Sequence, residues 1–305
     1  MTELAIEAHD LGKDYGATTA VRSVDLQVHT GEFFGFLGPN GAGKTTTIHM
    51  LTTLLRPTRG RALVAGHDVV ARPLEVRREI GLVFQETTLD GELTAEENLR
   101  FAARLYGLSR SETAARVEEV LTLFDLQGRR SDRARTFSGG MRRALDLARG
   151  VLHRPRILFL DEPTIGLDPV NRRAVWGYLG RIGEQGTTLF LTTHYLDEAD
   201  GCDRVVIVDH GAIIAQGTPE ELKRGLGAEN IELEVDDVDQ ALIDDVRRLS
   251  GVEPTRTSRG LGVTVDDTAP ALEALLPLVN GRVRSASVRR PSLDDVFVSL
   301  IGSAR

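Results

Sequence analysis

A glycine-rich stretch between a short apolar run and a helical pattern constrains the fold of this chain most. Its sequence, Gly38-Pro39-Asn40-Gly41-Ala42-Gly43-Lys44-Thr45, matches G-x-x-x-x-G-K-S/T; FFGFLG leads into it and TTTIHMLTTLL follows the lysine. Glycine lets backbone N–H groups turn inward and approach a phosphate without obstruction by a Cβ atom. The start of the next helix adds partial positive charge. The stretch therefore predicts a strand, a phosphate-binding loop and a helix in succession.

Two side chains of this stretch add charge and a metal ligand. The Lys44 ammonium is expected to reach the β- and γ-phosphates of a nucleotide, and the Thr45 hydroxyl to bind Mg²⁺. The alternative is a glycine-rich turn with a chance lysine, which the flanking strand and helix patterns argue against. The nucleotide-binding residues expected here are Gly38, Asn40, Gly41, Gly43, Lys44, Thr45 and Thr46.

Two adjacent carboxylates end a second apolar run. In ILFLDEPT, Asp161 and Glu162 follow a stretch of strand length. Burying two carboxylates is costly unless a metal ion or positive charge compensates. Asp161 is therefore predicted to help bind Mg²⁺, and Glu162 to act as the base that polarises an attacking water. The alternative is a pair of strand-end acids that face solvent.

Polar residues at other strand ends give weaker signals. Gln85 ends EIGLVFQ and His194 ends LFLTTH. Because parallel strands end at one edge of a sheet, Gln85 is expected to contact metal and water, and His194 to donate to the γ-phosphate. Alone, such residues more often begin a solvated loop. Tyr15, in KDYGATTAV, is a candidate for stacking on adenine, although a lone aromatic residue more often packs inside the fold.

A second anion site is predicted from FSGGMRR, Phe137 to Arg143. Ser138, Gly139 and Gly140 open a helical pattern, so free N–H groups and the helix dipole would attract an anion there. One nucleotide does not need two such sites. The second loop either folds back onto the same nucleotide or, more simply, serves a nucleotide held by another copy of the chain.

Composition argues against several classes of protein. The chain has 305 residues, 41% hydrophobic and 27% charged, which is ordinary for a soluble globular protein. Its net charge of −8 argues against a general nucleic-acid binder. Cys202 is the one cysteine, so no intramolecular disulfide and no cysteine-rich zinc site is expected. No apolar run approaches the roughly 20 residues of a membrane-spanning helix, and the N-terminus lacks a secretion-signal pattern.

Two domains are predicted. Residues 1–224 alternate strand-sized apolar runs with helical segments, which predicts an α/β domain with a parallel sheet. Within it, TAEENLRFAARLYGL and SETAARVEEVLTLFDL predict a helical insertion over about residues 88–155. The stretch Arg224 to Gly227, RGLG, is predicted to be a hinge.

Residues 228–305 are predicted to form a small α+β domain. Strands at IELEV, GVTV and RVRSASV alternate with helices over Val238–Leu249 and Ala269–Val279, similar to a ferredoxin-like repeat. A last helix is predicted to begin at Ser292, with Asp295 completing a capping box. Its apolar stripe comprises Leu293, Val296, Phe297, Leu300 and Ile301.

The ordered set of GPNGAGKTT, Gln85, FSGG, ILFLDEPT, GLDP and His194 resembles the ATP-binding subunits of ABC transporters. The resemblance covers about residues 4–223 and implies a P-loop NTPase fold of the ABC type that binds ATP and Mg²⁺. It implies two nucleotide domains that face each other head to tail. Each ATP would lie between the phosphate loop of one domain and the Ser-Gly-Gly signature of the other. Ser138, Gly139 and Gly140 would complete the partner's site, and Asp168 of GLDP would lie at the dimer contact.

The same resemblance implies roles for individual side chains. Tyr15 would stack on adenine, Glu162 would be the catalytic base and His194 would be the switch histidine, with Lys44 as the third catalytic residue. Gln85 and the loop after it would sense the membrane partner.

Three segments of the sequence indicate one subfamily of these ATP-binding subunits. FSGGMRRALDLA, DEPTIGLDP and RRPSLDDVFVSLIG are similar to the daunorubicin-resistance type of drug-export ATPase, whose members pair with a separate ABC-2 type permease. Phe137 and Met141 replace the common Leu and Gln of the signature, and Ile165 replaces a usual Ser or Thr. None of these changes removes the Ser-Gly-Gly backbone or a catalytic carboxylate, so an active ATPase is expected.

The resemblance implies a homodimer, peripheral on the cytoplasmic face of the cell membrane, that couples ATP hydrolysis to efflux of a drug-like or lipophilic compound. Alternatives are an importer ATPase with a regulatory C-terminal domain, an exporter of lipids or polysaccharides, and a soluble ABC ATPase of DNA repair or translation. The last would carry a long coiled-coil insertion or two nucleotide domains, and the sequence has neither pattern.

Overall fold

The computed structural model describes residues 3–225, 229–265, 268–279, 282–289 and 291–302. The chain forms two compact units, Met1–Thr218 and Pro219–Arg305. The hinge predicted at Arg224–Gly227 lies within the second unit, and part of it is outside the described residues.

The first unit contains ten strands and six α-helices among its described residues. The strands are β1 Leu4–Tyr15, β2 Thr18–His29, β3 Phe33–Leu37, β4 Arg59–Val64, β5 His67–Asp68, β6 Ile80–Val83, β7 Ile157–Asp161, β8 Thr188–Thr193, β9 Arg204–Asp209 and β10 Ala212–Gly217. The helices are α1 Lys44–Leu51, α2 Pro73–Glu79, α3 Ala95–Leu105, α4 Arg110–Leu123, α5 Gly139–Val151 and α6 Pro169–Glu184. Three short 3₁₀ helices cover Gln127–Arg129, Ala134–Thr136 and Leu196–Gly201.

All ten strands join in one sheet of order β5-β4-β1-β2-β10-β9-β3-β8-β7-β6. The half from β9 to β6 is parallel, as the apolar runs predict, and β7 and β8 are buried at every position. The other half, from β5 to β2, is antiparallel and alternates buried with exposed residues. One apolar core runs beneath both halves, with Ile48, Met50 and Leu51 of α1 packed into it.

The order of the parallel strands brings distant parts of the sequence to one edge. β3 lies between β9 and β8, and β7 lies between β8 and β6. Leu37, the last residue of β3, is level with Thr193 of β8, and Asp161 of β7 is level with Thr192. The phosphate loop, the two carboxylates, His194 and Gln85 therefore all follow the carboxyl ends of neighbouring strands, where α/β proteins bind ligands.

The predicted helical insertion consists of α3, α4 and α5, between β6 and β7. α3 and α4 each begin with a complete capping box, formed by Thr94 with Glu97 and by Ser109 with Glu112. α5 packs against α3, α4, α6 and β6. The helix after the phosphate loop is shorter than the pattern TTTIHMLTTLL suggests. It ends at Leu51, and Thr53 has a left-handed φ of 65°, which no α-helix continues.

The second unit has four strands and four helices among its described residues. They follow the order α7 Pro219–Gly225, β11 Glu229–Glu234, α8 Gln240–Ser250, β12 Thr255–Thr257, β13 Gly260–Val265, α9 Thr268–Val279, β14 Ser285–Arg289 and α10 Leu293–Gly302. The sheet order β12-β13-β11-β14 with antiparallel neighbours is that of a ferredoxin-like fold, as predicted. The short strand β12 has no counterpart in the sequence prediction.

The predicted capping box of the last helix is present. The Ser292 N–H donates to Asp295 Oδ2 over 2.8 Å, and the Asp295 N–H donates to Ser292 Oγ over 3.2 Å. Leu293 and Val296 are buried, and Phe297 and Leu300 are half-buried. The Ile301 side chain lies outside the described residues.

Candidate nucleotide-binding site

The phosphate loop is fixed by close backbone packing at its two ends. A Cβ atom on Gly38 would lie 2.3 Å from the Val208 carbonyl oxygen, and one on Gly43 would lie 2.7 Å from that of Ala20. Gly43 also has a left-handed φ of 98°. Only glycine meets both requirements, so the loop is held against β9 and β2 while α1 starts at Lys44.

Lys44 is buried at the centre of the site, with 5% of its surface exposed. Its Nζ donates to the carbonyl oxygens of Gly38, over 2.9 Å, and Pro39, over 3.1 Å. The same nitrogen lies 3.2 Å from Glu162 Oε1, which is 7% exposed. A buried ammonium needs such compensation. The fold thus pairs the predicted phosphate-binding lysine with the predicted base.

Asp161 and Thr45 meet at a point suited to a divalent cation. Thr45 Oγ1 lies 3.3 Å from Asp161 Oδ1, which also accepts a 2.6 Å hydrogen bond from Thr192 Oγ1. Hydroxyl and carboxylate oxygens are the ligands Mg²⁺ prefers, together with water and phosphate oxygens. Among the described residues, no group of three or more His, Cys, Asp or Glu side chains converges on a metal site. These two protein ligands therefore fit an ion that would also bind substrate oxygens.

Glu162 is held in an unusual backbone conformation. Its φ of 46° is left-handed, which is uncommon and costly for a residue other than glycine. Its N–H donates to the Thr192 carbonyl oxygen over 3.0 Å and contacts Thr192 Oγ1 over 3.1 Å. His194 Nδ1 lies 2.9 Å from Glu162 Oε2. Both carboxylate oxygens are therefore engaged, one by Lys44 and one by His194.

Several residues of the site escape the sequence prediction. Thr192 anchors Asp161 and Glu162. Buried Glu198 accepts 2.7 Å hydrogen bonds from Thr164 and lies 3.3 Å from Arg172 Nε. The Arg172 guanidinium stacks over Tyr195, whose ring contacts that of His194. The available signal was the polar pair at the end of the otherwise apolar run TTLFLTT.

The predicted second anion site forms the start of α5. Ser138 is its N-cap and accepts a 3.3 Å hydrogen bond from the Met141 N–H, while Gly139 is exposed. A Cβ atom on Gly140 would lie 1.9 Å from Asn171 Oδ1, so this helix start packs closely on the start of α6. There Asp168 is the N-cap, and the N–H of Asn171 holds the pKa of its carboxyl below the usual range.

The structure joins only some of the predicted residues. Hydrogen bonds and ion pairs connect Lys44, Thr45, Asp161, Glu162 and His194. In the described part of the chain, none connects this group to Tyr15, Gln85, Asp168 or the segment Ser138–Gly140. Tyr15 is 51% exposed at the end of β1 with Lys13 Nζ 5.3 Å from its ring centroid, and Gln85 is exposed beyond β6. Asn40 and Gly41 are exposed in the loop, and Thr46 is half-buried on α1.

The fold and this site define a P-loop nucleotide-binding protein. A family model described as ABC transporter matches residues 21–165, and one described as ATP-binding protein DrrA1-3-like, C-terminal domain, matches residues 217–301. The chain belongs to the ATP-binding subunits of ABC transporters, in the group with a DrrA-like C-terminal domain. Proteins of this family are ATPases that bind ATP.

Known relatives match along the whole chain. The daunorubicin/doxorubicin resistance ATP-binding protein DrrA of Streptomyces peucetius is 45% identical, over 98% of this chain and 92% of its own. The linearmycin resistance ATP-binding protein LnrL of Bacillus subtilis is 35% identical, over 97% of this chain and 98% of its own.

Solved structures resemble about seven tenths of the chain. An ATP-binding subunit of an ABC transporter is 34% identical with a TM-score of 0.66, over 73% of this chain and 93% of its own. The cassette MJ0796, in a dimeric post-hydrolysis state bound to ADP and Pi, is 26% identical with a TM-score of 0.64, over 70% of this chain and 98% of its own. In the part of this chain that the structure describes, no helix combines the length and apolar character needed to cross a bilayer.

Proposed function

We propose that the chain is the energy-coupling subunit of an ABC-2 type exporter, which hydrolyses Mg-ATP to drive efflux of a drug-like or lipophilic compound through a separate permease. One observation carries the proposal: the connected cluster of Lys44, Asp161, Glu162 and His194 occurs in a chain that matches resistance proteins along its full length. The compound itself would be selected by the permease.

Glu162 supplies the base for hydrolysis. Its carboxylate is fixed from both sides, by Lys44 Nζ at 3.2 Å and by His194 Nδ1 at 2.9 Å. A carboxylate held in this way accepts a proton from the attacking water, as general bases of phosphoryl transfer do. Lys44 offsets the negative charge of the phosphates, and His194 keeps the base aligned.

Thr45 and Asp161 would hold Mg²⁺, since their oxygens lie 3.3 Å apart at the carboxyl end of β7 and the start of α1. When bound, the ion neutralises charge on the phosphate oxygens. Thr192 fixes the Asp161 carboxylate for this role through its 2.6 Å hydrogen bond.

A homodimer with shared sites is supported by the position of the second anion site. Ser138 and Gly139 are exposed at the start of α5, and no hydrogen bond among described residues joins them to the cluster around Glu162. A helix start exposed in this way is free to bind the phosphates of a nucleotide on another copy. The similar cassette MJ0796 is dimeric.

Attachment to a permease on the cytoplasmic face of the membrane is supported by two exposed apolar side chains on the helix that follows the Gln85 loop in the sequence. α3 is the first helix after that loop, and it exposes 57% of Phe101 and 72% of Leu105, one turn apart. Large exposed apolar side chains grouped in this way indicate an interaction site. The second unit would support the dimer or regulate it.

The proposal is tested by co-expressing the chain with an ABC-2 type permease from the same source in a drug-sensitive host. The expected result is ATP-dependent efflux of at least one compound from a panel of drugs and lipophilic antibiotics. The Glu162→Gln chain, expressed to the same level, should abolish that efflux. Efflux that is the same with both chains would reject the coupling role.

A further inference from the structure

Arg143 of α5 connects two loops of the candidate site. Its guanidinium Nε donates to the Pro163 carbonyl oxygen over 2.5 Å, and its Nη1 donates to the Phe84 carbonyl oxygen over 2.6 Å. Pro163 directly follows Glu162, and Phe84 directly precedes Gln85. One buried side chain, 7% exposed, therefore bridges the turn that carries the base and the loop that carries Gln85.

Burial of the Arg143 guanidinium is costly for the stability of the fold. Burial lowers the pKa of Arg143 to about 10, so the guanidinium stays charged at neutral pH. Its third nitrogen, Nη2, is also buried and donates no hydrogen bond to any residue that the structure describes. A buried charge whose donors are incompletely matched contributes little to folding. The contacts of Arg143 are better explained by what its two partners do.

The turn that carries Glu162 needs support from surrounding residues. Glu162 has a left-handed φ of 46°, and such a conformation persists only when surrounding contacts fix it. Thr192 fixes the Glu162 N–H on one side, and Arg143 fixes the next carbonyl on the other. A displacement of Arg143 would therefore change the position of the Glu162 carboxylate relative to Lys44.

α5 also contacts the far end of the loop between Phe84 and Thr88, which carries Gln85. Arg149 Nη1 donates to the Thr88 carbonyl oxygen over 2.9 Å, and its Nη2 lies 3.2 Å from Asp146 Oδ1. Arg143, Asp146 and Arg149 are spaced three residues apart, on one side of the helix. Gly150 Cα packs beside β6, where a Cβ atom on Gly81 would lie 2.2 Å from the Gly150 carbonyl oxygen. The loop between Phe84 and Thr88 is thus held at both ends by a single rigid helix.

We propose that Arg143 is a positioning residue for hydrolysis, which couples the Gln85 loop to the Glu162 turn so that a displacement of one moves the other. The inference rests on the proposed role of Glu162 as the base. Because Ser138 is the N-cap of α5, the same helix would transmit the movement to the second anion site. Arginine suits this task because its planar fork offers two divergent donors, whereas one lysine ammonium does not span both carbonyls.

A double-mutant cycle on the full-length chain tests the coupling. The turnover number and KM for Mg-ATP are measured for wild type, Arg143→Met, Gln85→Ala and the double variant. Arg143→Met should lower the turnover number about tenfold to a hundredfold, as small displacements of a catalytic group do, with less change in KM. The double variant should lose little more than the worse single variant, because the Gln85 side chain would act on hydrolysis through the loop that Arg143 holds at the Phe84 carbonyl. Arg143→Lys should recover part of the rate.

Arg116 provides a matched control. It is also a buried arginine, 9% exposed, and donates to two backbone carbonyls, those of Val151 and Leu152, away from the site. Arg116→Met should change the melting temperature about as much as Arg143→Met does, while the turnover number changes less than about threefold. If Arg143→Met does not fold, the same cycle is run with Arg143→Lys.

The inference is overturned if the double variant loses the full product of the two single losses, or if Arg143→Met and Arg116→Met slow hydrolysis equally. Failure of the proposed function looks different. In that case the wild-type chain does not hydrolyse Mg-ATP, or Glu162→Gln hydrolyses it at the wild-type rate.

Discussion

Lys44 and His194, which follow two different strands, hold the Glu162 carboxylate from both sides. The sequence predicts two carboxylates at a strand end and a lysine in the phosphate loop, because each lies in a recognisable local pattern. It does not predict that Glu162 takes a left-handed φ, since Glu-Pro carries no turn signal of the kind that Asn-Gly does. The ion pair to Lys44 and the contact to His194 depend on strand order, which no local pattern encodes.

Replacing Glu162 by Gln should slow ATP hydrolysis by about 10²–10⁴-fold, the usual contribution of a positioned general base. The amide has nearly the same shape, so ATP affinity should stay close to that of the wild type. Phosphate release and nucleotide binding, measured on the same preparation, separate the two effects. Glu184→Gln, an exposed change at the end of α6, should leave turnover unchanged. Turnover near the wild-type rate in Glu162→Gln would rule out the assigned role.

His153 should make the fold sensitive to acid. Burial lowers its pKa to about 4, and its ring stacks on Tyr106 with 3.6 Å between centroids. The unfolded chain takes up the proton near pH 6.5, while the native chain does not until about pH 4. This histidine therefore leaves the free energy of unfolding unchanged above about pH 6.5 and lowers it as the pH falls from there to about 4. The loss is at most about 3 kcal/mol.

Melting temperatures measured from pH 7 to pH 4 check this expectation. His153→Phe keeps a ring beside Tyr106 but cannot titrate, so its melting temperature should fall less steeply than that of the wild type. His210→Asn is the control, because the His210 side chain is 84% exposed, and its slope should match the wild type. Parallel curves for wild type and His153→Phe would contradict the prediction.

Among the strands of the first unit, the parallel ones were predicted well and the antiparallel ones poorly. Near-continuous apolar runs identify β3, β7, β8 and β9 because both of their faces are buried. The long strands β1 and β2 mix polar and apolar residues and carry several register shifts, which weakens any period of two. β12 has three exposed residues and therefore no apolar signal.

The contact between β6 and α5 should be intolerant of added volume. A Cβ atom on Gly81 would lie 2.2 Å from the Gly150 carbonyl oxygen and 2.9 Å from a Leu158 methyl group. Gly81→Ala should therefore lower the free energy of unfolding by about 1–3 kcal/mol, measured by chemical denaturation.

Gly180→Ala is the matched control for this change. Gly180 lies on α6 with nothing within 4 Å of an added Cβ atom, so alanine should leave stability unchanged or raise it by up to about 1 kcal/mol. If Gly81→Ala and Gly180→Ala unfold at the same denaturant concentration, the packing of α5 on β6 is looser than the structure indicates.

For the molecule as a whole, the main question is whether two chains share each site. Ser138→Arg should abolish hydrolysis but leave ATP binding by the single chain intact, because the residue lies apart from the Lys44 cluster. Lys44→Ala should abolish both. A mixture of the two variants should regain activity, since each heterodimer would contain one competent site.

Phosphate release by the mixture, compared with each variant alone, measures this rescue. The control mixes Lys44→Ala with a chain that carries both Ser138→Arg and Glu162→Ala. This mixture is not expected to exceed the background, because the one intact phosphate loop lies in the chain that lacks the base. Absence of rescue by folded Ser138→Arg and Lys44→Ala chains would contradict a shared site.

Sequence reasoning predicted the α/β fold of the first unit and the ferredoxin-like class of the second, because most of their strands and helices are locally recognisable. It did not predict the strand order of the second unit, since β12 carries no apolar signal. It did not predict the role of Thr192, Glu198 or Arg143. The sequence does not distinguish these buried polar residues from exposed ones, because their hydrogen-bond partners are distant along the chain.

The two units bury separate apolar cores, one beneath the large sheet and one around Ile231, Leu233 and Val263. The two cores have no residue in common. Recombination near codon 218 should therefore exchange the second unit without disrupting the core of the first, and hybrids with genes of related proteins should yield folded protein.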